Sequence, residues 1–443
     1  MLVHLISPKP PVVGATRREK ALLFSRLGLA TVAAQFPEDI EVRIINDSLE
    51  TIDFDQKVDL VGVTALTSTA PRAYEIADRF RAEGIPVILG GMHPSAMPEE
   101  ASLHSDAVVI GEAEGVMRDV VSDFRSGSLQ KFYRAVTRPS LVGLPSPRRS
   151  LLNGSRTFPD WDMVQTTRGC PFKCDFCSVS DFFGQTYRTR PIPDVIREIK
   201  ELRDHTTVFF VDDNIAGRPV YARKLFEALI PLKIRWFGQG AVLIAKDVEL
   251  LRLARKSGCF GLFIGFETLS SQNLKQMGKT TGHVQNYSTA IKKIHDSGIG
   301  IVGAFILGLD SDDQSVFENT VDFINRNQLE LASFSILTPL PGTRLYERMR
   351  QQGRIIEQDW AKYTMGEVVF RPKLLSVDQL QSGYYWARKE ISSVSSIFRR
   401  TLRPRKTAIL SLPINIGMRK TSRGFLKRTS AFSNRRTSNR GQA

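Results

Sequence analysis

The 443-residue chain has only four cysteines, and none precedes Cys170. That scarcity excludes a disulfide-stapled secreted scaffold, which needs many paired cysteines to replace a small core. No uncharged apolar run is long enough to cross a bilayer, and the start lacks the basic, apolar, small-residue order of an export signal. A cytoplasmic, reducing setting is expected. No internal repeat is visible, so a solenoid is not expected. Acidic residues are missing altogether from 399–443, where 13 Lys and Arg carry nearly all of the net charge of +15, leaving a body close to neutral. The hydrophobic content of 42% is ordinary for a globular chain, and the length exceeds what one core serves.

Three of the four cysteines fall together. Cys170, Cys174 and Cys177 stand in Arg-Gly-Cys-Pro-Phe-Lys-Cys-Asp-Phe-Cys, at spacings of four and three. A redox pair or the paired units of a zinc site would show two-residue gaps, whereas closely spaced thiolates are typical ligands of iron–sulfur clusters. A structural zinc loop or three unrelated buried thiols are the alternatives. Three ligands for a four-iron cubane leave one iron open, a place for a small chelating molecule. Cys259, at the entry to an apolar run, reads as a small buried hydrophobe.

This loop resembles the hallmark of the radical S-adenosylmethionine superfamily, Cys-x-x-x-Cys-x-aromatic-Cys, with Phe176 in the aromatic place. The resemblance implies that Cys170, Cys174 and Cys177 hold the cluster as metal ligands and that its open iron chelates S-adenosylmethionine. An electron from a donor such as flavodoxin or ferredoxin then yields a 5′-deoxyadenosyl radical.

Upstream, residues 1–136 carry five apolar runs, Leu2 to Ile6, Val42 to Ile45, Leu60 to Val63, Val87 to Leu89 and Ala107 to Ile110, separated by helical patterns. From Thr69 to Glu83 an apolar stripe at helical spacing ends at Gly84, a plausible C-terminal glycine. Such alternation predicts an α/β fold with a doubly wound parallel sheet, which binds ligands beyond the carboxyl ends of its strands. The loops there are Thr64-Ala65-Leu66, Gly90-Gly91-Met92-His93 and Gly111-Glu112-Ala113-Glu114. Adjacent glycines let a bulky ligand approach the backbone, although they also make simple tight turns.

These loops resemble the Rossmann-like cobalamin-binding domain of one branch of the superfamily. The resemblance implies that Thr64, Leu66, Gly90, Gly91 and Gly111 line the cofactor's groove. His93 is a candidate to approach the corrin, or else an ordinary hydrogen-bonding residue. The Asp-x-His-x-x-Gly motif that supplies a lower cobalt ligand is missing, since the first loop reads Ser7-Pro8-Lys9-Pro10-Pro11-Val12. Cobalamin without that histidine ligand is therefore expected.

Residues 137–160, rich in proline and serine, read as a linker. From 161 to 345, six strand candidates alternate with helical stretches, predicting a partial (β/α)6 barrel with its chemistry at the carboxyl ends of the strands. Asp212, Asp213 and Asn214 end the second run and Glu267 the fourth. The resemblance implies contacts to S-adenosylmethionine there, against the plainer reading of helix caps. Residues 346–398 form a small α-rich extension that resembles hopanoid-biosynthesis radical enzymes of the C-2 methylase type, and so implies an isoprenoid or other lipid-like small-molecule substrate. The basic tail, 399–443, is expected to be partly disordered, and suits peripheral contact with the anionic inner face of a membrane better than nucleic acid.

The leading expectation is a cobalamin-dependent radical methylase that acts on an unactivated carbon. Radical cyclisation, rearrangement or carbon–carbon coupling without methyl transfer is the alternative. RNA methylthiolation fits less well, because that family carries three further cysteines in its N-terminal domain. A non-catalytic cobalamin module would not need the intact cysteine loop.

Overall fold

The computed structural model describes residues 1–11, 27–152, 161–202, 207–279, 284–401, 411–412, 414–417 and 419. Val12, the end of the expected linker and most of the basic tail lie outside them. The chain divides into two compact units, 1–234 with 338–370, and 235–337 with 371–443. The segment expected at 161–345 is thus shared between the units.

In the first unit all five expected strands form: β1 (Leu2–Ser7), β2 (Glu41–Asn46), β3 (Leu60–Thr64), β4 (Val87–Gly90) and β5 (Ala107–Ile110). A short β6 (Phe132–Arg134) joins them, and the order is β2-β1-β3-β4-β5-β6, parallel throughout. Three residues with alternating exposure give too little periodicity to reveal β6 in the sequence. Both faces of the sheet are covered. Val3, Leu5, Val42, Leu60 and Val109 pack on one side with the helices Leu27–Ala33 and Met117–Arg125, while Ile6, Ile45, Val61, Val63 and Leu89 meet the helix Ala70–Ala82 on the other. This double burial is why the strands read as continuous apolar runs.

The same unit contains β7 (Asp162–Val164), β8 (Thr167–Arg168), β9 (Arg188–Thr189) and β10 (Thr207–Phe210). β7 and β10 pair in parallel, whereas β8 and β9 form a two-stranded antiparallel stem, invisible in the sequence, with Arg168 directly opposite Arg188. The described part of the expected linker is strapped down. Arg148 donates to the carbonyls of Ala30 and Phe36, and Arg149 to that of Met163.

The second unit holds β11 (Arg235–Gly240), β12 (Cys259–Glu267), β13 (Gly300–Leu307) and β14 (Leu331–Ile336), paired in parallel in that order. With β7 and β10 these are the six strands expected, and helix follows each directly except β7, after which come the β8–β9 stem and the cysteine loop. Aromatic rings join strands to helices in this unit: Phe266 of β12 meets Phe305 of β13, Tyr287 of the helix Tyr287–Asp296 and Phe323 of the helix Ser315–Arg326. The C-terminal extension is helical at Val377–Ile391, which opens with a Ser376/Gln379 capping box, and at Val394–Thr401.

Gly91 shows why the second glycine of its pair is needed. Its φ is +100°, and a Cβ there would lie 2.7 Å from Thr64 Oγ1 and 2.9 Å from the Ala65 carbonyl oxygen. We expect Gly91→Ala to cost about 1–3 kcal/mol of stability. Gly127→Ala, at φ +68° in open surroundings, should cost less. Urea midpoints measure both, and equal losses would remove close backbone approach as the cause.

Candidate cofactor site

The cysteines lie on the loop 169–187, which the β8–β9 stem closes at its base. Gly169, at φ +85°, allows the closure, because a Cβ there would fall 2.4 Å from the Thr186 carbonyl oxygen. Cys170, Cys174 and Cys177 are all half-buried. Cys177 stands just before the helix Ser178–Phe182, and its N–H donates to the Cys174 carbonyl at 3.3 Å. Burial pushes its thiol up to about 11; the Val179 and Ser180 amides act the other way, and the charges of Asp213 and Cys170 add to the rise. A bound cation reverses that balance, since metal ligation deprotonates a thiol.

Among the described residues no three His, Cys, Asp or Glu converge as a preformed metal site. The fit to an iron cluster therefore rests on the donors themselves: three sulfur ligands on one closed loop, with backbone amides at one sulfur. The C-terminal segment pins this loop. Arg348 pairs with Asp175 at 2.5 Å, the Leu345 N–H donates to the Asp175 carbonyl at 2.9 Å, and Arg344 donates to the Lys173 carbonyl. Phe176 is half-buried within the loop.

The structure separates the three acceptors that follow β10. Asp212 is wholly buried, and its carboxylate accepts from the Thr166 N–H at 3.1 Å, Thr166 Oγ1 at 2.8 Å and Thr167 Oγ1 at 2.5 Å. Those bonds fasten β10 to the β7–β8 turn, a structural role for Asp212 beside the expected ligand contact. Asn214 is buried too, its carbonyl accepting from Tyr187 at 2.7 Å. Asp213 is half-buried, and burial together with the Asp212 charge raises its carboxyl to about 7. In the second unit Glu267 sits at a bulge at φ +65° and pairs with Lys279 at 2.6 Å, a strained position of the kind found at functional sites. Cys259 is fully buried, as expected.

At the edge of the first sheet, Thr64 ends β3 and Leu66 is 57% exposed, an apolar side chain left open beside the Gly90-Gly91 turn. Gly111 has φ +87° with open space where a Cβ would stand. Small residues, an open apolar side chain and absent Cβ atoms fit a large planar ligand lying against the backbone. His93, next to the glycine pair, is engaged by protein groups. It is 1% exposed, with Nδ1 3.3 Å from Thr67 Oγ1 and Nε2 3.3 Å from Glu100, which also accepts from Tyr74 and Trp360. Both ring nitrogens thus have protein partners, the hydrogen-bonding alternative for this residue.

Sequence reasoning missed the charges around the cysteine loop. Arg168 pairs with Glu112 at 2.6 Å and with Glu114 at 2.5 Å, and Arg188 pairs with Glu112 at 2.5 Å. Burial works against the Arg168 charge, but the two carboxylates outweigh it and raise its pKa. Alongside, Glu198 is wholly buried between Arg149 and Arg190. An arginine two residues before a cysteine motif was visible in the sequence; its partner 56 residues away was not.

Two family models match the chain: the B12 binding domain over residues 18–121 and the Radical SAM superfamily over 164–324. The bacteriochlorophyllide d C-12(1)-methyltransferase of Chlorobaculum tepidum is 34% identical over 350 residues, 77% of this chain and 76% of that protein. The hopanoid C-2 methylase of Rhodopseudomonas palustris is 27% identical over 351 residues, covering 75% of this chain and 65% of that one. Among solved structures, the radical S-adenosylmethionine methyltransferase TsrM of Kitasatospora setae, with cobalamin and a 4Fe-4S cluster bound, superposes at a TM-score of 0.71 over 95% of this chain and 99% of that one, at 14% identity. A cysteine loop on one open parallel fold, a glycine-lined strand edge on the other, and a curated relative above 30% identity across most of its length lead to one conclusion: the chain belongs to the cobalamin-dependent radical S-adenosylmethionine methyltransferase family.

Proposed function

We propose that this enzyme transfers a methyl group to an unactivated carbon of a polycyclic, largely apolar small molecule, with Cys170, Cys174 and Cys177 holding the cluster. One observation carries the reading: the cysteine loop and the glycine-lined strand edge occupy a single compact unit, joined through Glu112 and Arg168. Those are the two sites a methyl transfer of this kind needs together. When bound, the three groups supply reductive cleavage of S-adenosylmethionine and delivery of a methyl group, while the protein supplies orientation. Thr64, Leu66, Gly90, Gly91 and Gly111 would line the cobalamin groove. The absence of histidine from the Ser7–Pro11 loop and the engagement of His93 both support cobalt without a lower histidine ligand.

Asp213 is the carboxylate of the first unit that we assign to S-adenosylmethionine, and Phe176 would cover the cluster side. The substrate class follows from two relatives, whose names specify a carbon of bacteriochlorophyllide d and C-2 of a hopanoid. A tetrapyrrole or pentacyclic lipid shares the required chemistry, an extended apolar ring system with carbons that lack an activating group. Ring formation or rearrangement without methyl transfer is the second reading. An external electron donor of the flavodoxin or ferredoxin type would reduce the cluster.

The basic tail supports contact with an anionic lipid surface, on which each Lys or Arg gains about 1 kcal/mol. Val394 and Phe398, 63% and 61% exposed on the helix that leads into it, would add apolar anchoring. Among the described residues no helix is long and apolar enough to cross a membrane.

Purified anaerobically with iron, sulfide and cobalamin, the protein should bind four irons per chain and one corrin, and should pass label from S-(methyl-d3)-adenosylmethionine into product. Alanine at Cys170, Cys174 or Cys177 should abolish iron loading and nucleoside release, whereas Cys259→Ala should keep both. An unlabelled product would establish the second reading instead. In flotation assays the full chain should rise with vesicles containing phosphatidylserine and stay down with phosphatidylcholine alone. Phe398→Asp should weaken the anionic binding several-fold, and an unchanged partition would remove that helix from the contact.

A further inference from the structure

The β8–β9 stem contains an arrangement that is unfavourable taken alone. Arg168 and Arg188 are directly opposed in antiparallel register, and like charges so placed repel. Both guanidiniums are largely buried, at 8% and 16% side-chain exposure, so water screens little of that repulsion. Other bonds only orient them. Gln165 accepts from Arg168 Nε at 2.8 Å, and the carbonyls of Pro139 and Phe183 accept from Arg188. Neutralisation comes from the loop after β5. Glu112, its side chain 2% exposed, turns one oxygen to Arg168 at 2.6 Å and the other to Arg188 at 2.5 Å, while Glu114 takes the second nitrogen of Arg168.

Two positive and two negative charges thus close a buried, balanced set. Half of it stands on the stem that closes the cysteine loop, the other half on the loop that begins at Gly111, at the edge assigned to cobalamin. The acidic loop has an anchor of its own, since the Gly111 N–H donates to Ser95 Oγ at 2.8 Å. A carboxylate that bridges two planar guanidiniums constrains direction as well as distance, because each fork must lie close to the plane of its hydrogen bonds.

We propose that Glu112 is a positioning residue. By gripping Arg168 and Arg188 with its two oxygens, it fixes the stem of the cysteine loop against the loop after β5 and so sets the spacing between the group on the cysteines and the group in the groove. The inference rests on the site assignments made above, but it concerns a carboxylate committed to two arginines. Small errors of placement matter here, because reacting groups must be held to within about 0.5 Å to stay productive.

Dipolar EPR between the reduced cluster and cob(II)alamin, in the reconstituted full chain, measures that spacing without turnover. Wild type should give one narrow distance distribution, and Glu112→Gln should broaden it at least about twofold at unchanged iron and corrin content. Because Glu112→Gln leaves two buried guanidiniums sharing one carboxylate, it will also lower the melting temperature. The double variant E112Q/R188Q restores charge balance and should recover most of that loss while the distribution stays broad. A wild-type distribution in either variant would overturn the proposal, leaving Glu112 with charge relief alone. A wild-type protein that binds no iron or no corrin would instead overturn the underlying site assignment.

Discussion

Parallel pairing is the constraint on which the rest of this molecule depends. Parallel strands need crossover helices, those helices bury both faces of the sheet, and only the loops at the strand ends remain open to a ligand. In the first unit that edge collects Thr64 at the end of β3 with Leu66 beyond it, the glycine pair at the end of β4, and Gly111 to Glu114 after β5. None of these residues is chemically unusual. Their common address, imposed by strand direction, makes them a candidate site.

Buried charge then decides how the loops are held. The cysteine loop lacks regular structure across most of its length and could not keep three sulfur atoms in place by packing alone. Its stem is instead bonded by paired ions and a buried carboxylate. Asp212 ties the end of β10 to Thr166 and Thr167, Glu198 joins Arg149 to Arg190, and Asp175 meets Arg348 from the returning C-terminal segment. Groups of this kind are costly to bury and are tolerated only when fully partnered. Once partnered, they permit one arrangement of the loop, which suits a site that must accept a rigid inorganic group.

Much of this was legible in the residues. Five apolar runs of the first segment became five strands, because strands buried on both faces leave uninterrupted Val, Ile and Leu, and the six runs after Trp161 became six more, with burial that alternates along β11 to β14. The cysteine spacing is local chemistry, which survives without any knowledge of the fold. Partnerships were not legible. Asp212 and Asp213 are neighbours of one residue type, yet one is wholly buried and bonded to two threonines while the other is only half-buried. His93 stands in a glycine loop that suggested a ligand and is occupied by Thr67 and Glu100.

The sequence by itself determined the α/β class, the alternation of strands and helices, the three thiols and the absence of a histidine from the first loop, since each depends on residues close together in the chain. Tertiary structure alone decided which carboxylates stay available, that Arg168 and Arg188 face each other, and that Glu112 lies between them. Those facts join residues separated by 20 to 76 positions. Periodicity reports only which face of an element is buried; what a buried charge meets there depends on chain crossings that no local pattern records.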